Sequence, residues 1–220
     1  MLNSEKTLKS ANEFASSYDS YIPGCNWVGP DILLGLMFEF LQPGQCLLDI
    51  GIGTGLSSAG FHKFGLRIFG IDGAENMLLA CRKKNIAEEL QLADLSKDIP
   101  WFENRHFNHA IAHALFHLLG DLELPLTKVH SALEMGGVFG FTCEGTGRSM
   151  EDYSESTIKG IYEKKIIATG ISAFRHTDKY IHDLLSGKGF KIKKQTEFLA
   201  FVDSTTKAKT WFNAIIAIKV

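Results

Sequence analysis

The chain has 220 residues, with 25 acidic against 23 basic side chains, a formal charge of −2 and 45% apolar positions. That is the size and composition of one globular domain over residues 1–220, able to bury about 70% of its unfolded surface without a disulfide or metal staple. The near-neutral balance excludes a function resting on a strongly basic surface, because non-specific nucleic-acid binding is supplied mainly by Lys and Arg on phosphates.

Cys25, Cys46, Cys81 and Cys143 lie 21, 35 and 62 positions apart, which fits neither a CxxC site nor a compact disulfide framework. The first residues lack a charged start followed by an apolar leader, and no window reaches 18 uninterrupted apolar residues. The expectation is a cytoplasmic protein with free thiols and no membrane partner.

In chain order, residues 5–18 read as a polar helix, followed by turns at Pro23-Gly24 and Gly29-Pro30. A second helix begins near Pro30, where the missing proline N–H has no partner to lose. Its apolar face is Ile32, Leu33, Leu36, Met37, Phe40 and Leu41, and Pro43-Gly44 stops it. Short apolar runs then alternate with amphipathic stretches. The runs at 46–50, 66–71, 90–93, 107–112 and 138–142 read as strands, and 55–64, 74–84 and 122–135 as helices, the last ended by Gly136-Gly137. Alternation of this kind implies βαβ crossovers and a three-layer α/β sandwich around a mostly parallel sheet. Residues 144–174 are more polar and are expected to form a helical insert, with a further helix at 178–186. The β-type runs Phe190–Val202 and 210–219, joined by Asp203-Ser204-Thr205-Thr206, predict an antiparallel hairpin at the sheet edge.

The segment Asp49-Ile50-Gly51-Ile52-Gly53-Thr54-Gly55 lies where the first strand turns into a helix, the place where open α/β sheets bind ligands. A nicotinamide-type GxGxxG loop would put its third glycine at 56, but that residue is Leu56 and the glycine is Gly55. Asp72 ends the second strand 23 residues after Asp49, and Asp94 ends the third 22 residues further on. A carboxylate at Asp72 suits a ribose diol, although Asp72-Gly73-Ala74-Glu75 also fits a capping box. Asp94 suits either an adenine amino group or a turn cap.

Together, the glycine loop, Asp72, Asp94 and the terminal hairpin resemble class I S-adenosylmethionine-dependent methyltransferases, over roughly residues 30–220. The resemblance implies a seven-stranded Rossmann-like sheet and S-adenosyl-L-methionine as cofactor, lying across the carboxyl ends of strands one to four. It implies that Asp49 and Gly51 flank the methionine moiety, that Gly53 of the same loop binds the cofactor, that Asp72 holds the ribose, and that Gly73 and Met77 line the adenosine pocket. Asp94 and Leu95 would bracket the adenine, and His113 would contact the cofactor. Tyr18-Asp19-x-Tyr21 and Phe174-Arg175-His176-Thr177 are similar to motifs of small methyltransferases of the Williams-Beuren-region and ubiquinone-biosynthesis type. In those relatives the N-terminal segment, here residues 1–29, folds over the cofactor as a helical lid, which makes Tyr18, Tyr21 and Trp27 lid residues.

Methyl transfer requires a held nucleophile, exclusion of water and, for some acceptors, a base. His113 and His117, four apart, would share a helix face, and His117 is the candidate base or else a packing residue. A metalloprotease-type HExxH pair would need Glu at 114, where the chain has Ala114, so no metal is expected. No proline occurs between Pro100 and Pro125 and none flanks Cys143, which argues against base-methylating motifs. The acceptor is expected to be a small molecule. A protein side chain, RNA, or cofactor binding without turnover are the alternatives.

Overall fold

A computed structural model describes residues 3–25, 27–97, 101–102, 105–203 and 205–220. The helices are α1 (Asn3–Tyr21), α2 (Gly29–Met37), α3 (Leu56–Phe64), α4 (Glu75–Lys84), α5 (Glu123–Ala132) and α6 (Asp178–Gly187). The strands are β1 (Cys46–Ile50), β2 (Arg67–Asp72), β3 (Glu89–Leu92), β4 (Phe107–Ala112), β5 (Leu133–Cys143), β6 (Ser154–Glu155), β7 (Ile161–Ile166), β8 (Ile171–His176), β9 (Phe190–Val202) and β10 (Lys209–Lys219). Pro100, Ser204 and residues 1, 2 and 26 of the expected lid segment lie outside the described residues.

The main sheet has seven strands in the order β3-β2-β1-β4-β5-β10-β9. Its first five strands pair in parallel, and β10 pairs antiparallel with both β5 and β9, as the sequence pattern predicts. The chain runs outward from β1 to β3 and then crosses back to β4, so the order reverses between β1 and β4. This opens a crevice at their carboxyl ends.

Period-two alternation divides each central strand between two apolar layers. Leu48 and Ile50 face a layer with Leu126 of α5 and Ile181 and Leu185 of α6, while Leu47 faces Leu33, Met37, Phe61 and Leu78 of α2, α3 and α4. Phe69, Phe107, Phe139 and Phe141 are all buried, which accounts for part of the phenylalanine excess. β9 is a sheet edge carrying exposed Lys191 and Lys193, a composition that opposes pairing with another chain. Among the described residues no helix is long and apolar enough to cross a membrane.

Two expectations are corrected. The insert over 144–174 is not helical: β6, β7 and β8 form a separate three-stranded antiparallel sheet. The β-branched residues Ile161, Ile166 and Ile171 flank tight turns, and Gly160 and Gly170 adopt positive φ (86° and 65°), which breaks any continuous helix and suits a hairpin. His113 and His117 do not share a helix face either. Ala114 takes positive φ (51°) directly after β4, and the chain resumes only as a single 3-10 turn at Phe116–Leu118.

Candidate active site

A cavity of about 930 Å³ occupies the crevice at the carboxyl ends of β1, β2 and β4, at the upper end of small-molecule pockets. Gly51, Gly53, Asp72 and Gly73 line its floor. The roof is α1, whose Leu8, Ala11, Phe14 and Tyr18 recur at helical spacing on one face. Phe174 of the insert, Trp27, and Phe201 and Phe212 from the terminal hairpin close the far side. Among the described residues that line it, none is Lys or Arg, whereas Asp72, Asp94, Asp121 and Glu144 all do.

α1 is too polar to be held by burial alone, and the side-chain hydrogen bonds that fasten it include three at well-separated points along the helix. Asn3 Oδ1 accepts from the Ser172 N–H of β8 at 2.8 Å. Asn12 Oδ1 accepts from the Asn76 N–H of α4 at 2.8 Å. Asp19 Oδ1 accepts from the Thr54 hydroxyl at 2.6 Å, and Asp19 Oδ2 pairs with Lys84 at 2.5 Å. The third point fixes the roof to the glycine loop itself.

Gly55 shows why the loop needs glycine. It stands at φ 84° as the N-cap of α3, and a Cβ there would lie 2.5 Å from Ile86 Cδ1 and 2.9 Å from Cys81 Sγ. Asp72 joins the loop to the next helix: its Oδ2 accepts from the Gly53 N–H and its Oδ1 from the Ala74 N–H, each at 2.8 Å. The N-cap of α4 is Ala74, so Asp72 closes a turn ahead of the helix instead of capping it. Burial raises the Asp72 pKa, against the pull of hydrogen bonds from Ala74, Gly53 and Gly73.

Of the remaining residues named from the sequence, Tyr18, Tyr21, Met77, Asp94, Leu95 and His117 also line the cavity. Burial pushes the Tyr18 phenol up to about 12. Asp94 Oδ1 accepts from the Ser96 N–H and hydroxyl, at 3.0 and 2.6 Å, so it caps a turn while standing in the wall. Asp49 and His113 stand behind the wall, because their places in β1 and just after β4 point them toward α2 and α3. Asp49 accepts from the Ser58 hydroxyl at 2.7 Å, and burial raises its pKa to about 7. His113 Nδ1 lies 3.1 Å from Ser57 Oγ and its ring is 5.1 Å from that of Trp27. Burial, then the neighbouring His117, lowers its pKa to about 3.

His117 is different. It reaches the cavity, its ring lies 5.7 Å from that of Phe212, and its buried Nδ1 has no hydrogen-bond partner among the described residues. Burial lowers its pKa and the nearby Glu144 carboxylate opposes this, which leaves a neutral imidazole at neutral pH. Sequence reasoning missed Phe14, Phe201 and Phe212. The spacing of Leu8, Ala11, Phe14 and Tyr18 was a readable signal for the roof, but no local motif marks Phe201 and Phe212, which reach the site only through the pairing of β9 with β10.

Residues 48–141 match a family described as methyltransferase domain. The chain is 27% identical over 183 residues to phosphoethanolamine N-methyltransferase 2 of Caenorhabditis elegans, covering 79% of this chain and 40% of that protein. It is 25% identical over 183 residues to malonyl-[acyl-carrier protein] O-methyltransferase of Serratia marcescens, covering 80% and 69%. The chain therefore spans well under half the length of the first relative. Among solved structures, a Methanosarcina mazei S-adenosylmethionine-dependent methyltransferase superposes with a TM-score of 0.67 at 20% identity, covering 84% of this chain and 97% of the other. Magnesium protoporphyrin IX methyltransferase from Synechocystis, with bound S-adenosylmethionine, gives 0.61 at 13% identity, covering 86% and 77%. The matched segment, under half of the chain, is the part that builds the cavity floor, from β1 through the glycine loop into β5, and there the chain is similar to the methyltransferase domain.

Proposed function

We propose that this chain transfers a methyl group from S-adenosylmethionine to a small molecule enclosed under α1. The observation that carries the reading is the roofed, largely apolar cavity with a neutral histidine in its wall. A macromolecular acceptor would call for an open, charged cleft instead.

The residues fit the cofactor chemically. Asp72 already accepts from the backbone N–H groups of Gly53 and Ala74, with a further pull from that of Gly73, and a carboxylate has about four acceptor sites, so capacity remains for a ribose hydroxyl. The lining also presents carboxylates and no Lys or Arg side chain among the described residues, which suits a cationic sulfonium. Gly51 and Gly53 would hold the methionine portion, with Asp49 supporting the loop from behind through Ser58. Gly73, Met77, Asp94, Leu95 and Tyr18 would surround the adenosine, and Tyr21 would close the roof. His113 serves as packing behind Trp27.

Bound S-adenosylmethionine supplies an electrophilic methyl group. The chain's own residues enclose the acceptor, exclude water with the Phe14, Trp27, Phe174 and Phe212 side chains, and take up its proton at His117. The test is calorimetry and thermal shift with S-adenosylmethionine, S-adenosylhomocysteine and NAD, followed by labelled-methyl transfer to a small-molecule panel. A ligand at about 100 times its Kd should stabilise the fold by about 2.7 kcal/mol. A shift with NAD and none with either sulfur ligand overturns the reading, and methyl incorporation into protein or RNA alone removes the small-molecule acceptor.

A further inference from the structure

We infer that the acceptor is an amine carried on an apolar body, its nitrogen received by Glu144 and by the rings of Trp27, Phe201 and Phe212. The inference rests on reading the cavity as the acceptor site, and deepens it.

Asp72, Asp94, Gly73 and Met77 occupy the β1–β3 end of the cavity, which the cofactor would take. The charged and aromatic groups left at the other end form one cluster. Phe212 and Asn213 are consecutive in β10, and Asn213 pairs antiparallel with Cys143. Glu144 follows Cys143 directly, its carbonyl accepts from the His176 N–H of β8, and its side chain lines the same cavity as Phe212. The Trp27 ring lies 5.5 Å from that of Phe201 and 5.8 Å from that of Phe212, and His117 lies 5.7 Å from Phe212 on the other side. Three aromatic side chains, a carboxylate and a neutral imidazole therefore line one compartment. Aromatic faces and a carboxylate attract a cation, more so when water is excluded.

Among the described residues the Glu144 carboxylate has one hydrogen-bond partner, Arg175, whose Nε lies 3.1 Å from Oε2. The guanidinium is turned away from the cavity: it donates to the Ser149 carbonyl and rests 4.4 Å over the Tyr153 ring, and Arg175 is not among the lining residues. The carboxylate is what the cavity meets. An acceptor ending in a carboxylate or phosphate would face Glu144 and Asp121 with no lining cation to receive it among the described residues. An ammonium finds a counter-charge. It gives one proton to His117, its nitrogen lone pair then forms the bond to the methyl carbon, and the electron pair of the broken carbon–sulfur bond stays on sulfur.

The test measures binding to protein saturated with S-adenosylhomocysteine, so that no turnover is needed. Phenyl, indolyl and octyl compounds are compared, each ending in a primary amine, a hydroxyl or a carboxylate, together with the trimethylammonium form of each. At least one amine should bind tenfold or more tightly than its alcohol and carboxylate counterparts, and its trimethylammonium form should bind as well. Glu144→Gln should reduce that preference at least tenfold. Phe212→Leu provides a second variant that leaves the Glu144–Arg175 pair intact, and it should weaken the ammonium compounds more than the alcohols. Equal or tighter binding of the carboxylates or alcohols, no binding by any amine, or a preference that survives both substitutions overturns the inference. S-adenosylhomocysteine binding without an amine preference removes only this inference, whereas failure to bind S-adenosylhomocysteine removes the proposed function with it.

Discussion

Asp19 holds the hydroxyl of Thr54 at 2.6 Å across 35 positions of chain, so the helix that roofs the cavity is fastened to the loop that forms its floor. Thr54 is buried, while the Asp19 side chain is 42% exposed and also pairs with Lys84. Thr54→Val keeps the shape and deletes the donor. A hydrogen bond to a charged group contributes about 1.5–3 kcal/mol when buried, and partial exposure of Asp19 reduces this to about 1 kcal/mol. S-adenosylmethionine should bind about fivefold more weakly, and amide hydrogens along α1 should exchange faster. Unchanged exchange in α1 would show that the roof does not depend on this contact.

Asp72 has two tasks, bridging Gly53 to Ala74 and offering its remaining lone pairs to the cavity. Asp72→Asn keeps one oxygen acceptor and removes the charge. Loss of charge-assisted hydrogen bonds to a diol should weaken S-adenosylmethionine by about 1.5–3 kcal/mol, roughly 10- to 100-fold. Because the carboxylate is buried and its pKa is already raised, the ligand-free protein should lose far less stability than affinity. Calorimetry beside thermal denaturation separates the two, and unchanged affinity would leave Asp72 with its structural task alone.

The cavity floor was legible because local chemistry dictates it. Gly51, Gly53 and Gly55 require positive φ within one strand-to-helix turn, and Asp72 and Asp94 follow at strand ends, so the pattern is continuous in sequence. The far wall was not legible. Phe201 and Phe212 meet Trp27 only through long-range pairing of β9 with β10, and Glu144, just past β5, joins them in the cavity wall only in the folded chain. The insert was misread because its polar composition hides β-branched residues around glycine turns. His113 and Asp49 were placed correctly along the chain, but the strand period turns them to the opposite face from an expected cofactor contact.

His117 should act with its imidazole neutral. Burial lowers its pKa below the usual 6.5, with Glu144 opposing, so the base form is present at neutral pH and is lost only on the acid side. With the identified acceptor, kcat/KM of the wild type should contain an acid limb that His117→Ala lacks. Turnover at pH 7.5 should fall about 100-fold or more at unchanged cofactor affinity. An unaltered rate and acid limb in the variant would return His117 to packing against Phe212.

Asp49 makes the stability of the ligand-free fold depend on pH in an unusual direction. Its pKa is about 7 when folded, against an ordinary 3.8, because burial outweighs the Ser58 hydrogen bond. Between those values the folded chain holds a proton that the unfolded chain does not. Asp49 therefore lowers stability progressively as pH rises from about 4 to 7, by at most about 4 kcal/mol. His109 and His176, both lowered to about 4, and His113, lowered to about 3, act in the opposite sense. The unfolded chain protonates them near 6.5 and the folded chain does not, so they lower stability as pH falls. Asp49→Asn retains an oxygen for the Ser58 hydroxyl and removes only the first contribution. In urea unfolding without ligand, the variant should gain stability relative to the wild type as pH rises from 5 to 8. Parallel stability curves for the two proteins over that range would mean that the Asp49 carboxyl titrates as an ordinary one.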